Sequence, residues 1–330
     1  MNDILLVCPG NAKLPSFEYG VKNALQKLGH NVSVFDYRKY QLHRLRFTRN
    51  ILNKRLLNVA KKNNPDLVLV LKGEQLQEGI IQKITNLKIK TANWILDDPF
   101  GRHNKFNKLN NINEYDDFFV FDPYYVKELK EKGQSKSHYL PCCTNVDLYK
   151  EQIPIKIRKY KQDISFIGTY QTRRKEILNS INDRDMKIWG YHWDKLNDVS
   201  PLKNNVVDET LHGTKNIDHT KKICKIFNQT KINMNVHYDH SIESVNIRTF
   251  DVPATKSFLL TDHFKELKNL FKLKKEMISY QNYEELNELI DYYVDNKNER
   301  DKLALAGYKR VLKEHDVVHR MKTLLKTIKK

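Results

Sequence analysis

Short apolar runs alternate with amphipathic stretches through the first half of the chain. Ile4-Leu5-Leu6-Val7-Cys8 has no polar interruption, the pattern of a strand buried on both faces. It breaks at Pro9-Gly10. Tyr19, Val21, Leu25 and Leu28 then recur at helical spacing, and Gly29 is placed to stop that helix before a second strand, 31–35. Further strands are expected at 66–71, 90–96, 117–121 and 138–140, with helices over 76–87 and 124–133. Short apolar strands separated by helices predict a parallel sheet covered on both faces.

Between residues 146 and 161 this periodicity lapses into a charged, proline-containing segment, and a second series follows. Strands are expected at 163–167, 186–189, 231–236 and 257–261, and a helix over 174–181. From Tyr283 onward the pattern is helical, with an interruption at 296–298. The expected fold is therefore α/β, with two Rossmann-like doubly wound domains facing a cleft, over residues 1–155 and 156–312. A last helix, 313–330, is expected to pack back on the first domain, with a membrane surface as the alternative. Ligands of such sheets bind beyond the carboxyl ends of the strands. The loops after Ile167 and Val236, and the helix before Ser257, are the places to look for chemistry.

Composition narrows the class. The 330 residues include 17 Tyr, 14 Phe and 3 Trp, too much apolar area for a disordered chain, and 11 Gly with 9 Pro exclude a collagen-like or linker-dominated one. No apolar run approaches the ~20 residues of a membrane span, and the first residues lack the basic and apolar regions of a signal peptide. A cytoplasmic protein is expected. Cys8, Cys142, Cys143 and Cys224 have no zinc-ligand spacing and are expected as reduced, partly buried thiols, so no metal site is predicted.

The net charge of +18 is shared by both halves; residues 1–150 hold 24 Lys and Arg against 15 Asp and Glu. It is densest from Arg38 to Lys62, where Arg44, Arg46, Arg49, Lys54 and Arg55 meet no acidic residue. This is either a solvated helix face or a surface for an anionic partner.

The informative segment is Glu243-Ser-Val-Asn-Ile-Arg-Thr-Phe-Asp-Val-Pro-Ala254. If it is mostly helical, Glu243, Ile247 and Asp251 share a stripe and Arg248 lies near Asp251. A carboxylate suits the two hydroxyls of a ribose, and a guanidinium fork suits phosphate oxygens. A plain surface ion pair is the alternative. Asp97 and Asp98 follow the strand 94–96 and precede Pro99. They are candidates to activate an acceptor hydroxyl, or else simply a turn.

The stretch from Asn246 to Asp262 resembles the donor-site segment of CgeB-like (spore maturation protein) glycosyltransferases of the GT-B superfamily. Ile164-Ser-Phe-Ile-Gly-Thr169 with Arg173 and Arg174, Ile188-Trp-Gly190, residues 306–315 with Arg320, Trp94 to Pro99 and Tyr139-Leu-Pro141 carry the resemblance further. It implies a nucleotide sugar, with a UDP-sugar the expected donor, held by the second domain without an obligatory metal or other cofactor. Asp251 falls where relatives have a ribose-binding glutamate. Asn246, Arg248, Arg173 and Gly168 fall near the diphosphate, and Glu243 resembles the first acid of a spaced pair. At Thr255-Lys256 relatives usually carry a glycine; Lys256 could add charge near the diphosphate or face solvent. The acceptor, whether polysaccharide, protein or DNA, is not implied.

Two further readings stay open. Tyr37, Tyr40 and Phe47 beside the basic run would suit nucleic-acid stacking and backbone contacts. A sugar-nucleotide epimerase shares the two-domain architecture. The early loop, Pro9-Gly10-Asn11-Ala12-Lys13, offers no imidazole base, while His212, His237 and His240 lie in the second half. The last two resemble a metal-ligand pair only superficially, and a loop contacting the sugar or solvent is expected there.

Overall fold

The computed structural model describes residues 1–10, 12, 16–40, 46–103, 105, 108–149, 152–207 and 217–329. Asn11, Lys13, Arg44 and His212 lie outside the described residues, as do the side chains of Tyr40, Arg46 and Phe47. The chain divides into two compact units: Met1–Cys142 with Ile242–Ser244 and Val317–Lys330, and Cys143–Ser241 with Val245–Asp316.

The first unit runs β1 (Asp3–Cys8), α1 (Phe17–Lys27), β2 (Asn31–Asp36), α2 (Arg46–Asn63), β3 (Leu67–Leu71), α3 (Ile80–Thr85), β4 (Lys90–Ile95), β5 (Asp117–Val120), α4 (Pro123–Glu131) and β6 (Ser137–Tyr139). All strands are parallel, in the order β2-β1-β3-β4-β5-β6. The central β3, Leu67-Val-Leu-Val-Leu71, is wholly buried, as an uninterrupted apolar run requires. Ser16 caps α1 by accepting from Tyr19 N. The basic helix α2 buries Leu52, Leu56 and Ala60 along one stripe and exposes Arg49, Lys54, Arg55, Lys61 and Lys62.

In the second unit come β7 (Gln162–Ile167), α5 (Thr172–Asn179), β8 (Met186–Trp189), α6 (Ile217–Asn228), β9 (Thr230–Asn235), α7 (Arg248–Ala254), β10 (Leu259–Asp262), α8 (Leu267–Leu270), β11 (Ile278–Tyr280), α9 (Tyr283–Asp295) and α10 (Lys297–Arg310). This sheet is also parallel, ordered β11-β10-β9-β7-β8. Phe166, Ile188, Met234 and Leu260 stand opposite one another in the register and bury one face of this sheet together with Leu286 and Ile290 of α9. The order reverses between β7 and β9, so the crevice beyond their carboxyl ends is where a doubly wound sheet receives a ligand. The reversal in the first unit lies between β1 and β3.

α10 runs into one π-helical turn, Val311–His315, and the extended Asp316 breaks the helix expected to continue from there. Then α11 (Val317–Ile328) buries Val317, Met321, Leu324, Leu325 and Ile328 and packs against α1 within the first unit. The Arg320 guanidinium donates to the carbonyls of Pro141 and Cys142. All four cysteines are buried and none forms a disulfide. Among the described residues no helix is long and apolar enough to cross a membrane.

Candidate functional site

The second sheet presents its carboxyl edge through Gly168, Gly190, His237 and Asp262, the residues at or just past the ends of β7, β8, β9 and β10. Asp262 organises the centre. Its carboxylate accepts from Arg173 Nη1 at 2.7 Å, from the His237 ring Nδ1 at 2.5 Å and from the His237 backbone N at 3.1 Å. Burial alone would push the Asp262 carboxyl up, but His237 and Arg173 outweigh it and hold the pKa at about 2. Asp262 is thus a fixed anion that orients Arg173. The same guanidinium also donates to the His237 carbonyl at 3.1 Å. Neighbouring Arg174 is buried, and desolvation pulls its pKa down to about 10. It donates to the carbonyls of Val236 and Thr169, tying the first turn of α5 to two strand ends.

From His237 the network continues toward α7. The far ring nitrogen lies 3.3 Å from Thr249 Oγ1, and Asn235 Nδ2 donates to Thr249 Oγ1 and to Asn246 Oδ1, both at 3.2 Å. Asn246 returns the amide contact at 3.1 Å, and its oxygen accepts the Arg248 backbone N–H at 2.9 Å. Asn246 is therefore spent on holding the entry to α7. Arg248 stacks its guanidinium 5.4 Å from the Phe227 ring centroid and donates Nη1 to Asp251 at 3.2 Å. No other acceptor among the described residues takes its remaining N–H groups, and its side chain is 20% exposed. A fork with open donors, pinned at its backbone, is suited to anionic oxygens.

Asp251, which the resemblance assigns to the ribose, is enclosed by neighbouring side chains. It is buried and accepts from Thr144 Oγ1 at 2.7 Å, from the Tyr149 hydroxyl and from Arg248. Burial raises its pKa, against the pull of Arg248 and the two hydroxyls. Most of its acceptor capacity is already used. Nor is the pair a surface ion bridge, since the carboxylate is enclosed.

Glu243 does not share a helical stripe with Asp251, because α7 begins only at Arg248. Residues 242–244 instead belong to the first unit, where the Asp122 carboxylate accepts all three of their backbone N–H groups at 2.8–3.0 Å. Lys256 stands at the opposite end of α7 from Arg248, and its ammonium lies 4.7 Å from the Tyr308 ring centroid. The structure does not bring it to the arginine network. Gly168 is required by its own surroundings: a Cβ there would lie 2.7 Å from the Phe166 ring.

In the first unit, Asp98 forms the turn. Its oxygens accept the backbone N–H groups of Phe100 and Arg102 at 3.0 and 2.8 Å and ion-pair with the Arg102 side chain. Burial opposes ionisation, yet these hydrogen bonds prevail and lower its pKa, which makes it a poor base. Asp97 pairs with Lys72 Nζ at 2.9 Å. Lys72, at a left-handed φ of 63°, follows β3 at the reversal of the first sheet. Close by, Glu74 accepts from the Tyr37 hydroxyl at 2.6 Å and ion-pairs with Arg38 at 3.7 Å. The sequence pattern assigns no role to Lys72, Glu74 or Asp262, and His237, expected in a loop contacting the sugar or solvent, is instead buried against Asp262. The recoverable signal was position, since Lys72 and Glu74 lie within three residues of the end of β3 and His237 and Asp262 lie at or just past the ends of the buried strands β9 and β10. Among the described residues no group of three or more His, Cys, Asp or Glu is arranged to hold a metal ion.

Residues 173–326 match the family model described as glycosyl transferase-like. Spore protein CgeB of Bacillus subtilis (strain 168) is 22% identical over 261 residues, covering 75% of this chain and 78% of CgeB. A glycosyltransferase from Rickettsia africae superposes with a TM-score of 0.65 at 15% identity, covering 99% of this chain and 98% of that one. The chain has a GT-B fold, carries a glycosyl transferase-like segment and is similar to CgeB. HepE of Anabaena, solved in complex with UDP and glucose, matches this chain with a TM-score of 0.64 at 11% identity and full coverage of both chains. The matched segment begins at Arg173 and takes in His237, Arg248, Asp251 and Asp262, while Thr144, Tyr149 and Thr169, which also bond to the network, precede it.

Proposed function

We propose that this glycosyltransferase moves a sugar from a nucleoside-diphosphate sugar, a UDP-sugar, to an acceptor hydroxyl, without an obligatory metal. Breaking the anomeric C–O bond leaves negative charge on the diphosphate. Fixed donors aimed at that charge lower the barrier because they need no reorganisation as it develops. The observation that carries this reading is the open guanidinium fork of Arg248, held by Asn246 and Asp251 and joined through His237 and Asp262 to Arg173. The UDP-bound neighbour HepE supports the choice of nucleotide. Asp251 orients Arg248, and any contact it makes to ribose uses what acceptor capacity remains. On the acceptor side Asp97 is the better candidate base than Asp98, whose lone pairs are committed. The exposed basic face of α2 suits an anionic acceptor or surface. Buried cysteines without a disulfide fit a cytoplasmic setting.

The test is calorimetric binding of UDP and a panel of UDP-sugars, followed by donor turnover with and without EDTA. Arg248→Ala should lower turnover at saturating donor by about 10²–10³-fold, the usual consequence of losing one such donor. Its melting temperature should fall as well, because the buried Asp251 loses its cation, so turnover is compared at a temperature where the variant is still folded. Near-normal turnover in that variant would remove Arg248 from the mechanism, and turnover abolished by EDTA would refute metal independence. Product formed from donor alone as an epimer, without hydrolysis or transfer, would replace the reading with an epimerase.

A further inference from the structure

Lys256 lies between α7 and β10, at the amino edge of the second sheet and at the far end of α7 from Arg248. Its backbone is left-handed, φ 55°, a conformation that glycine adopts most readily. Arg158 holds it there, with Nη1 donating to the Lys256 carbonyl at 2.6 Å and Nη2 to the Thr255 carbonyl at 3.0 Å. The ammonium rests on the Tyr308 ring, and among the described residues it pairs with no carboxylate. Both residues face a cavity of ≈ 870 Å³. Its wall is largely apolar, with Ile153, Ile155, Leu305 and Leu312 prominent, and the last two are each 40% exposed. The other charged groups on it are Lys156, Asp147 and Asp301, and Asp301 is paired with Lys297 one turn away on α10.

The volume is that of a small-molecule site. A cation seated on an aromatic ring beside an apolar wall offers one polar anchor and one greasy surface. Nothing in the carboxyl-edge network uses either. We propose that this cavity binds a small amphipathic anion, an alkyl or aryl body carrying one carboxylate, sulfonate or phosphate, with Lys256 holding the head group and the leucine and isoleucine wall holding the body. Tyr149, whose hydroxyl serves Asp251, also lines the cavity, but Lys256 and the apolar wall make no contact with Arg248 and stand at the far end of α7 from it.

Anilinonaphthalene sulfonate serves as the fluorescent probe, decanoate as competitor and decanol as its uncharged counterpart, all with the full chain. Decanoate should displace the probe from the parent protein. Lys256→Gly suits the left-handed backbone, so its near-ultraviolet dichroism should be unchanged, while its affinity for decanoate falls by ~10-fold or more with the loss of a charge-assisted contact. Decanol should compete equally with both proteins. Leu305→Trp, which fills the cavity, should exclude both competitors. Equal decanoate affinity in the parent and Lys256→Gly would overturn the proposal. So would no displacement at millimolar decanoate, or a stable dimer in which a second copy covers Leu305 and Leu312.

Discussion

Asp262→Asn removes one negative charge from the middle of the carboxyl-edge network and changes almost no volume. The side chain is 4% exposed, so solvent screens the interaction little. Its pKa falls from the ordinary 3.8 to about 2 in the folded protein. A carboxyl whose folded pKa is depressed stabilises the fold at pH above its unfolded value and loses that contribution as pH falls through the folded one. At 1.36 kcal/mol per pKa unit, the ionised carboxylate contributes about 2 kcal/mol near neutral pH and about 1 kcal/mol near pH 3. Urea unfolding, followed through Trp189 and Trp193 of the second unit, measures both. The variant should be less stable than the parent by about 2 kcal/mol near pH 7, with the deficit roughly halved near pH 3. A deficit that does not change between those pH values would show that Asp262 acts through shape or neutral hydrogen bonding, and would refute the charge argument.

Two further expectations concern the supports of the site. Gly190→Ala places a Cβ 2.0 Å from the Gly168 carbonyl oxygen at a φ of 144°, so the loops after β7 and β8 cannot keep their approach. Thermal unfolding should show a loss of about 3 kcal/mol or more, and a variant as stable as the parent would contradict the packing described. Thr144→Val takes one hydroxyl from the buried Asp251, at a cost of about 1–3 kcal/mol. Because burial already raises the Asp251 pKa, the cost should be larger at neutral pH than in acid, once the carboxyl has taken up its proton. Denaturation at both pH values checks the sign.

Most strands were legible because a parallel sheet buried on both faces demands unbroken apolar runs, as in Ile4–Cys8 and Leu67–Leu71. β11 was not, since three residues, Ile278–Tyr280, carry too little pattern to stand apart from a loop. α6 was passed over. The start of α7 was misplaced because the backbone N–H groups of residues 242–244 are claimed by Asp122, some 120 positions earlier in the chain. No local signal encodes that competition. Arg173 and Arg248 could be picked out by side-chain chemistry. The enclosure of Asp251 by Thr144 and Tyr149 could not, because it depends on a segment whose periodicity lapses. His237 and Asp262 were within reach: polar residues ending the buried strands around Asn233-Met-Asn235 and Leu259-Leu-Thr261 are costly unless they pair.

The first unit is assembled from three separate stretches of chain, and its last piece, α11, is translated after all of the second unit. On the ribosome, α1 must therefore wait with its apolar face unpartnered while the second unit is being made. A stop codon at position 317 would leave every residue of the arginine network in the polypeptide and still yield a protein prone to aggregation, because the damage would fall on the half that the deletion seems to spare.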